Sequence, residues 1–207
     1  MNSKLTNKDR YNAQRQKQAE ERKLMVLDVA QELFLKNGLS NTSMNDIMKT
    51  AQVSKATLYR YFDNINIIAF EIEYRMLKNI FSNIKVDGDT DEEKVCKLLL
   101  ILIDEFHKHE PAHRYIGMFD NLYSKTYPNE QYLDEYNKVI DDIFGGNKHS
   151  TGQIPNKFIT SINVVFSFLQ RLALRGELLH KQQGITVDEQ LYEFRKMIER
   201  EFGITTD

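Results

Sequence analysis

One cysteine, three prolines and no tryptophan occur in 207 residues, and each shortage closes off a class of protein. A lone thiol, Cys96, cannot form a disulfide within the chain, which excludes a disulfide-stapled scaffold and fits a reducing compartment. The longest apolar run, Leu98 to Ile103, is six residues, far below the roughly 20 that a membrane-spanning helix requires. The first twenty residues have neither the apolar stretch nor the small-residue cleavage site of a secretory leader, so a cytoplasmic protein without membrane contact is expected. Gly-rich phosphate loops, metal-ligand spacings and nucleophile motifs are also missing, so no enzyme activity, no cofactor and no metal are expected.

Strong net charge is another absence: the chain carries only −2 at neutral pH. The total hides an asymmetry. Residues 1–62 hold 11 Lys and Arg against 6 Asp and Glu, and residues 63–207 hold 17 against 24. A basic module on an acidic body is the footprint of a protein whose N-terminal part alone meets a polyanion.

With 41% hydrophobic residues the chain can bury a sizeable core. Apolar residues recur at spacings of three and four between isolated glycines and prolines, and no alternating strand is paired with a hairpin turn. The pattern predicts an all-α fold of about nine helices, near Lys17–Asn37, Met44–Ala51, Lys55–Tyr61, Ile65–Ile84, Asp91–His109, Ala112–Lys125, Glu130–Phe144, Asn156–His180 and Val187–Phe202. The expected organisation is a basic N-terminal arm over 1–22, a DNA-binding domain over 23–68 and a helical effector-binding and dimerisation domain over 69–207. The arm carries Lys4, Lys8, Arg10, Arg15, Lys17, Arg22 and Lys23 against Asp9, Glu20 and Glu21. It reads equally as a solvated tail or as an element lying along a phosphate backbone or entering a minor groove.

The chemistry concentrates between Ser43 and Phe62. Ser43 suits the cap of a short helix by accepting from the amide of Asp46, and Ser54 suits the cap of a second, Lys55–Tyr61. Ile47, Ala51, Leu58 and Phe62 fall on the inner side. Two short helices joined by a turn of about four residues form a helix-turn-helix, whose second helix enters the major groove. Its other side suits DNA: Lys55 and Arg60 supply charge, Thr57, Tyr59 and Tyr61 supply hydroxyls for phosphates, and Ala56 permits close approach or touches a thymine methyl.

V-L-D-V-A-Q-E-L-F-L-K-N-G-L from Val26, T-S-M-N-D-I from Thr42 and V-S-K-A-T-L-Y-R-Y-F from Val53 resemble the tetracycline-repressor (TetR) family of bacterial regulators over roughly residues 24–70. The resemblance implies a three-helix DNA-binding head, a fourth connecting helix, and a helical body that dimerises and usually holds an effector pocket. In many members a small molecule relieves repression. Carried over by position, Ser43 matches the cap before the second helix, and Lys55, Ala56, Thr57, Tyr59 and Tyr61 match recognition-helix contacts; Arg60 is the candidate base reader. Met44 stands where some members place a phosphate-binding threonine and Ile65 where a lysine commonly begins the fourth helix. The expected protein is a sequence-specific repressor released by an effector of unknown identity, bound to double-stranded DNA at an inverted repeat as a homodimer. The alternative is a family-like coactivator or assembly protein working through protein contacts.

Beyond residue 70 only side-chain chemistry guides the reading. Phe106, Tyr115, Phe119, Tyr123 and Phe166, with Phe81, Tyr127 and Tyr136, could surround an apolar effector or simply form core. His107, His109 and His113 share an H-x-H-x3-H pattern, but Pro111 is expected to break the helix between them and prevent a common metal face. For a subunit interface the candidates are Phe158, Ile162, Val165, Leu169, Leu172 and Gly176 on one helix and Leu191, Phe194 and Ile198 on the next. Both stripes could equally pack against their own body.

Overall fold

A computed structural model describes residues 6–81, 84–123 and 156–203. Among them are eight α-helices and no strand: α1 Asn7–Asn37, α2 Met44–Thr50, α3 Lys55–Tyr61, α4 Ile65–Phe81, α5 Asp91–Asp104, α6 Phe106–Tyr123, α7 Asn156–Gln183 and α8 Val187–Glu201. The fold is all-α, as the periodicity predicts. The helix expected over Glu130–Phe144, with Tyr127 and Tyr136, lies outside the described residues. The chain divides into two compact units, Met1–Ile72 and Glu73–Asp207, and the division falls within α4.

In the first unit α1 begins ten residues earlier than its apolar periodicity indicates. Thr6 and Asp9 form a capping box: the Thr6 amide donates to Asp9 Oδ2 at 2.9 Å, and the Asp9 amide donates to Thr6 Oγ1 at 3.2 Å. This starts a helix in a segment that has no apolar face to reveal it. Gly38, at φ 89°, ends α1, a conformation that an L side chain resists. Val26, Leu27, Ala30 and Phe34 of α1, Ile47 of α2, Leu58 of α3, Phe62, and Ile68 and Phe70 of α4 are all buried in this unit. Lys23 of α1 and Glu71 of α4 form a 2.7 Å ion pair, each side chain about three-quarters covered.

In the second unit α6 packs along α7, α5 against both α7 and α8, and α8 against α7. The break expected at Pro111 occurs instead at Glu105 (φ −90°, ψ 8°), and Pro111 sits inside α6. A proline removes one amide donor, here the one that would reach the carbonyl of His107, and the rest of the helix carries through. Gly117 and Gly176 mark close approaches. A Cβ at Gly117 would meet Leu174 Cδ1 at 2.8 Å, and one at Gly176 would meet Val187 Cγ2 at 2.5 Å. The small residue at 176 therefore serves the junction of α7 with α8 inside one chain.

Two of the buried titratable groups in this unit bear on stability near neutral pH. Glu73 is 4% exposed, and burial, reinforced by the charge of Asp120, pushes its carboxyl up to about 8. His113 is 1% exposed, and burial, aided by His109, pulls its imidazole down to about 4. The folded protein holds the Glu73 proton across the range where the unfolded chain has released it. Its contribution to stability is therefore full below the ordinary glutamate range and disappears as pH rises toward 8. His113 acts in the other direction: its contribution is full above the ordinary histidine pKa and disappears as pH falls toward 4.

Urea unfolding between pH 5.5 and 8 should therefore show stability declining by up to about 1.4 kcal/mol per pH unit from Glu73, and Glu73→Gln should flatten that decline. An unchanged slope in the variant would contradict the assignment. Gly176→Leu should destabilise by about 1–3 kcal/mol through overpacking against Val187, read as a lowered urea midpoint.

Candidate nucleic-acid interface

The helix-turn-helix is assembled from two seven-residue helices, α2 and α3, each too short to persist alone in water. Side chains close their N-termini. Ser43 Oγ accepts from the Asp46 amide at 3.3 Å while Asp46 Oδ2 accepts from the Ser43 amide at 2.9 Å. The Ser43 hydroxyl also donates to Asp46 Oδ2, at 2.5 Å, and this bond first, then the one from the Ser43 amide, holds the Asp46 carboxyl below its ordinary range. Ser54 Oγ accepts from the Thr57 amide at 3.1 Å. Between the helices Gln52 takes φ 52°, a left-handed conformation that lets the chain reverse within the short turn. Before α2, Thr42 is buried and donates to the Gly38 carbonyl at 3.0 Å, tying the loop back to the end of α1.

With Leu58 and Phe62 turned inward, α3 leaves Lys55, Ala56, Tyr59 and Arg60 exposed and Thr57 and Tyr61 half-buried. Tyr59 is 44% exposed, and the Lys55 ammonium stands 5.7 Å from its ring centre. Arg60 lies over the Tyr61 ring at 4.9 Å and donates to the Tyr61 hydroxyl at 2.8 Å. Six of the seven residues named from sequence thus lie together on or beside one helix face. Ser43 differs: its hydroxyl is engaged in the α2 cap. Thr57 Oγ1 is likewise 2.9 Å from Ser54 Oγ. The face offers two cations, two phenols and one small residue, a set that suits phosphate contact and base-edge readout in a major groove.

The residues expected around an effector form two groups of rings in the second unit. Tyr115, Phe119 and Tyr123 make a row along α6, with centroids 6.5 and 4.7 Å apart. Phe106 and Phe166 flank His113 at 5.8 and 5.4 Å, and Phe166 stacks on Phe81 at 5.5 Å. The sequence pattern did not reveal the polar groups among them. Nδ1 of His113 has no hydrogen-bond partner among the described residues, and Glu73 adds its buried carboxyl beside Asp120 and Tyr115. Burial, and after it the carboxyl of Glu73, push the Tyr115 phenol well above its ordinary value. The available signal was an acid at a core position, since Glu73 falls at helical spacing between the buried Ala69 and Ile80.

The three α6 histidines share a continuous helix after all, yet they diverge. His107 is exposed and 2.7 Å from Asp188, His109 is 3.3 Å from Glu105, and His113 is buried among rings. Among the described residues no group of His, Cys, Asp and Glu is placed to hold a metal ion. Cys96 is fully buried, and burial raises its thiol pKa.

The stripes expected at a subunit interface are buried within the chain. Phe158, Ile162, Val165, Leu169, Leu172, Gly176, Leu191 and Ile198 are all covered, and Phe194 is half-buried with its ring 4.0 Å from Phe168. The exposed apolar residues of this region are Ile159, Val164, Leu178, Ile185, Tyr192 and Met197. No helix among the described residues is long and apolar enough to cross a membrane.

Residues 26–72 match the profile of the bacterial regulatory proteins, tetR family. An HTH-type transcriptional regulator of Staphylococcus aureus is 33% identical over 158 residues, covering 70% of this chain and 82% of that protein. The HTH-type transcriptional repressor KstR2 of Rhodococcus jostii is 24% identical over 172 residues, covering 81% and 84%. Among solved structures, the transcriptional regulator FadR of Bacillus subtilis, in complex with stearoyl-CoA, shares the fold with a TM-score of 0.51 at 16% identity, covering 84% of this chain and 96% of that one. Taken with the capped helix-turn-helix and the exposed face of α3, these likenesses establish that the chain is a transcriptional regulator belonging to the TetR family.

Proposed function

We propose that this regulator is a sequence-specific repressor that binds an inverted repeat as a homodimer and is released by a small-molecule effector. The observation that carries the reading is the outward face of α3, where Lys55, Ala56, Tyr59 and Arg60 stand exposed on a helix whose other side is buried. The similarity to a repressor in Rhodococcus jostii supports the sign of regulation. A head of this kind reads two half-sites one helical turn apart only as a dimer. Because the apolar stripes of α7 and α8 are buried, the partner would meet Ile159, Val164 and Leu178 of α7 and Tyr192 and Met197 of α8. Exposed apolar residues gathered on two helices fit a self-complementary contact.

For the effector, the support is the interior of the second unit. Its aromatic rings offer an apolar surface, and Glu73 and the unsatisfied Nδ1 of His113 offer the few polar groups that orient a small molecule. The FadR structure holds a stearoyl-CoA, an acyl thioester with an anionic end. The Asp120 carboxylate would repel an anionic group brought beside it, whereas Glu73 keeps its proton up to about pH 8 and offers a neutral carboxyl, so the effector here is expected to present an apolar or hydrogen-bonding part to this interior. Glu73 lies on α4, the helix that also contributes Ile68 and Phe70 to the core of the DNA-binding unit. A ligand contacting Glu73 therefore touches an element common to both units. It would shift DNA binding only to the extent that it binds two conformations of that element with different affinity.

Lys55→Ala should weaken binding to all duplexes and lower the log–log salt slope by about 0.9 for each phosphate that is no longer neutralised. Arg60→Ala should relax base preference, by roughly 1–3 kcal/mol at a guanine it reads. Fluorescence anisotropy on labelled duplexes across a salt series measures both. Wild-type behaviour in both variants would overturn the assignment of α3 as the reading helix.

A further inference from the structure

The matched family profile begins at residue 26, yet α1 starts at Asn7, about five turns upstream. Between Asn7 and Met25 no residue is buried, and only Ala19 and Lys23 are half-covered. Packing does not explain this length of helix. Its stability comes from the Thr6–Asp9 box, from a Lys17–Glu21 pair at 3.8 Å and from continuity with the packed half of α1, since a polar helix of this length is marginal alone.

Three of the five cations on this extension share one side. Lys8, Tyr11, Arg15, Gln18 and Arg22 follow one another at spacings of three and four, which places them in one stripe. Asp9, Ala13, Gln16 and Glu20 repeat the same spacing on a second stripe, about 150° round the helix from the first at 3.6 residues per turn. The acids Asp9 and Glu20 are thereby removed from the basic side. No ion pair engages Lys8, Arg15 or Arg22 among the described residues. The Arg15 guanidinium lies 5.9 Å from the ring centre of Tyr11, which is 61% exposed. Lys23 lies off the stripe, is paired with Glu71 and fixes the base of the rod to α4.

A stripe of three cations, an exposed phenol and an amide, with Asp9 and Glu20 on the far side and Glu21 engaged by Lys17, is complementary to a regularly spaced polyanion. Its shape narrows the mode of contact. An α-helix with side chains is about 10–12 Å across and a minor groove about 6 Å wide, so an element of this form does not enter the minor groove as an extended arm would. We infer that the Asn7–Arg22 extension of α1 is a second DNA contact, in which Lys8, Arg15 and Arg22 neutralise backbone phosphates beyond the segment read by α3. The inference rests on the reading of α3 as the DNA-reading helix. The extension adds affinity and footprint length without adding base preference, because phosphate contacts carry no sequence information directly.

The test compares the full chain with the triple variant Lys8→Gln, Arg15→Gln, Arg22→Gln and with Glu20→Gln as a control on the opposite side. Anisotropy is measured on a mixed-sequence 40-base-pair duplex across a salt series. Helix content is checked by circular dichroism, and all four positions are exposed. The triple variant should lower the log–log salt slope by about 0.9 for each of the three phosphates, or about 2.7 per chain, and shorten the protected footprint. Glu20→Gln should leave the slope in place. If Lys55→Ala reduces binding while the triple variant matches wild type, the extension is not a DNA contact and the head reading stands. If neither variant differs from wild type, both readings fall. Two other results would also overturn the proposal. One is a triple variant that changes the sedimenting mass without changing duplex affinity, which would make the stripe a contact between copies. The other is wild-type chain that binds phosphatidylglycerol vesicles through these residues but leaves its duplex affinity independent of them.

Discussion

Two helices of seven residues cannot hold themselves together in water, and the DNA-facing surface of this regulator exists because the inner sides of both are taken up by the first unit. Ile47, Leu58 and Phe62 are withdrawn from solvent together with Val26, Leu27, Ala30 and Phe34 of α1. The serine caps then satisfy amides that such short helices would otherwise leave open. Once one side of α3 is fixed in this way, the other must face outward at a set angle. Leu58 and Phe62 keep the helix from turning, so Lys55, Tyr59 and Arg60 stay on the outward side, where the proposed recognition needs them.

The second unit obeys a different constraint. Its helices approach closely at Gly117 and Gly176, and most of the apolar stripes of α7 and α8 are buried within the chain. Into this interior the fold places an acid and an imidazole whose charged forms are disfavoured by burial. A buried polar group left short of a partner destabilises a protein, so His113 Nδ1, which has none among the described residues, is costly unless something else satisfies it. That cost supports the proposal that a small molecule occupies this interior.

What was legible in the amino-acid sequence follows the range of the interactions. The caps at Ser43 and Ser54 and the bounds of α3 could be read because they depend on residues three apart. The all-α class could be read because apolar periodicity recurs in segment after segment from Val26 onward. The start of α1 could not be read from periodicity, since residues 7–25 bury nothing; only the Thr6–Asp9 spacing announced it. The break at Glu105 carries no proline or glycine, whereas Pro111 advertised a break that α6 does not make. The stripes of Phe158 to Gly176 and Leu191 to Ile198 showed that something covers them but not what does. That answer depends on long-range packing, and it is the chain itself. Glu73 was hidden by its charged neighbours Glu71 and Arg75, among which a further acid reads as surface.

Selection of bound duplexes from a random DNA library by the purified chain, at physiological salt and without added ligand, tests the central claim most directly. The account predicts enrichment of an inverted repeat whose half-sites are about one helical turn apart. Folded protein that enriches no sequence would contradict the claim that α3 reads DNA.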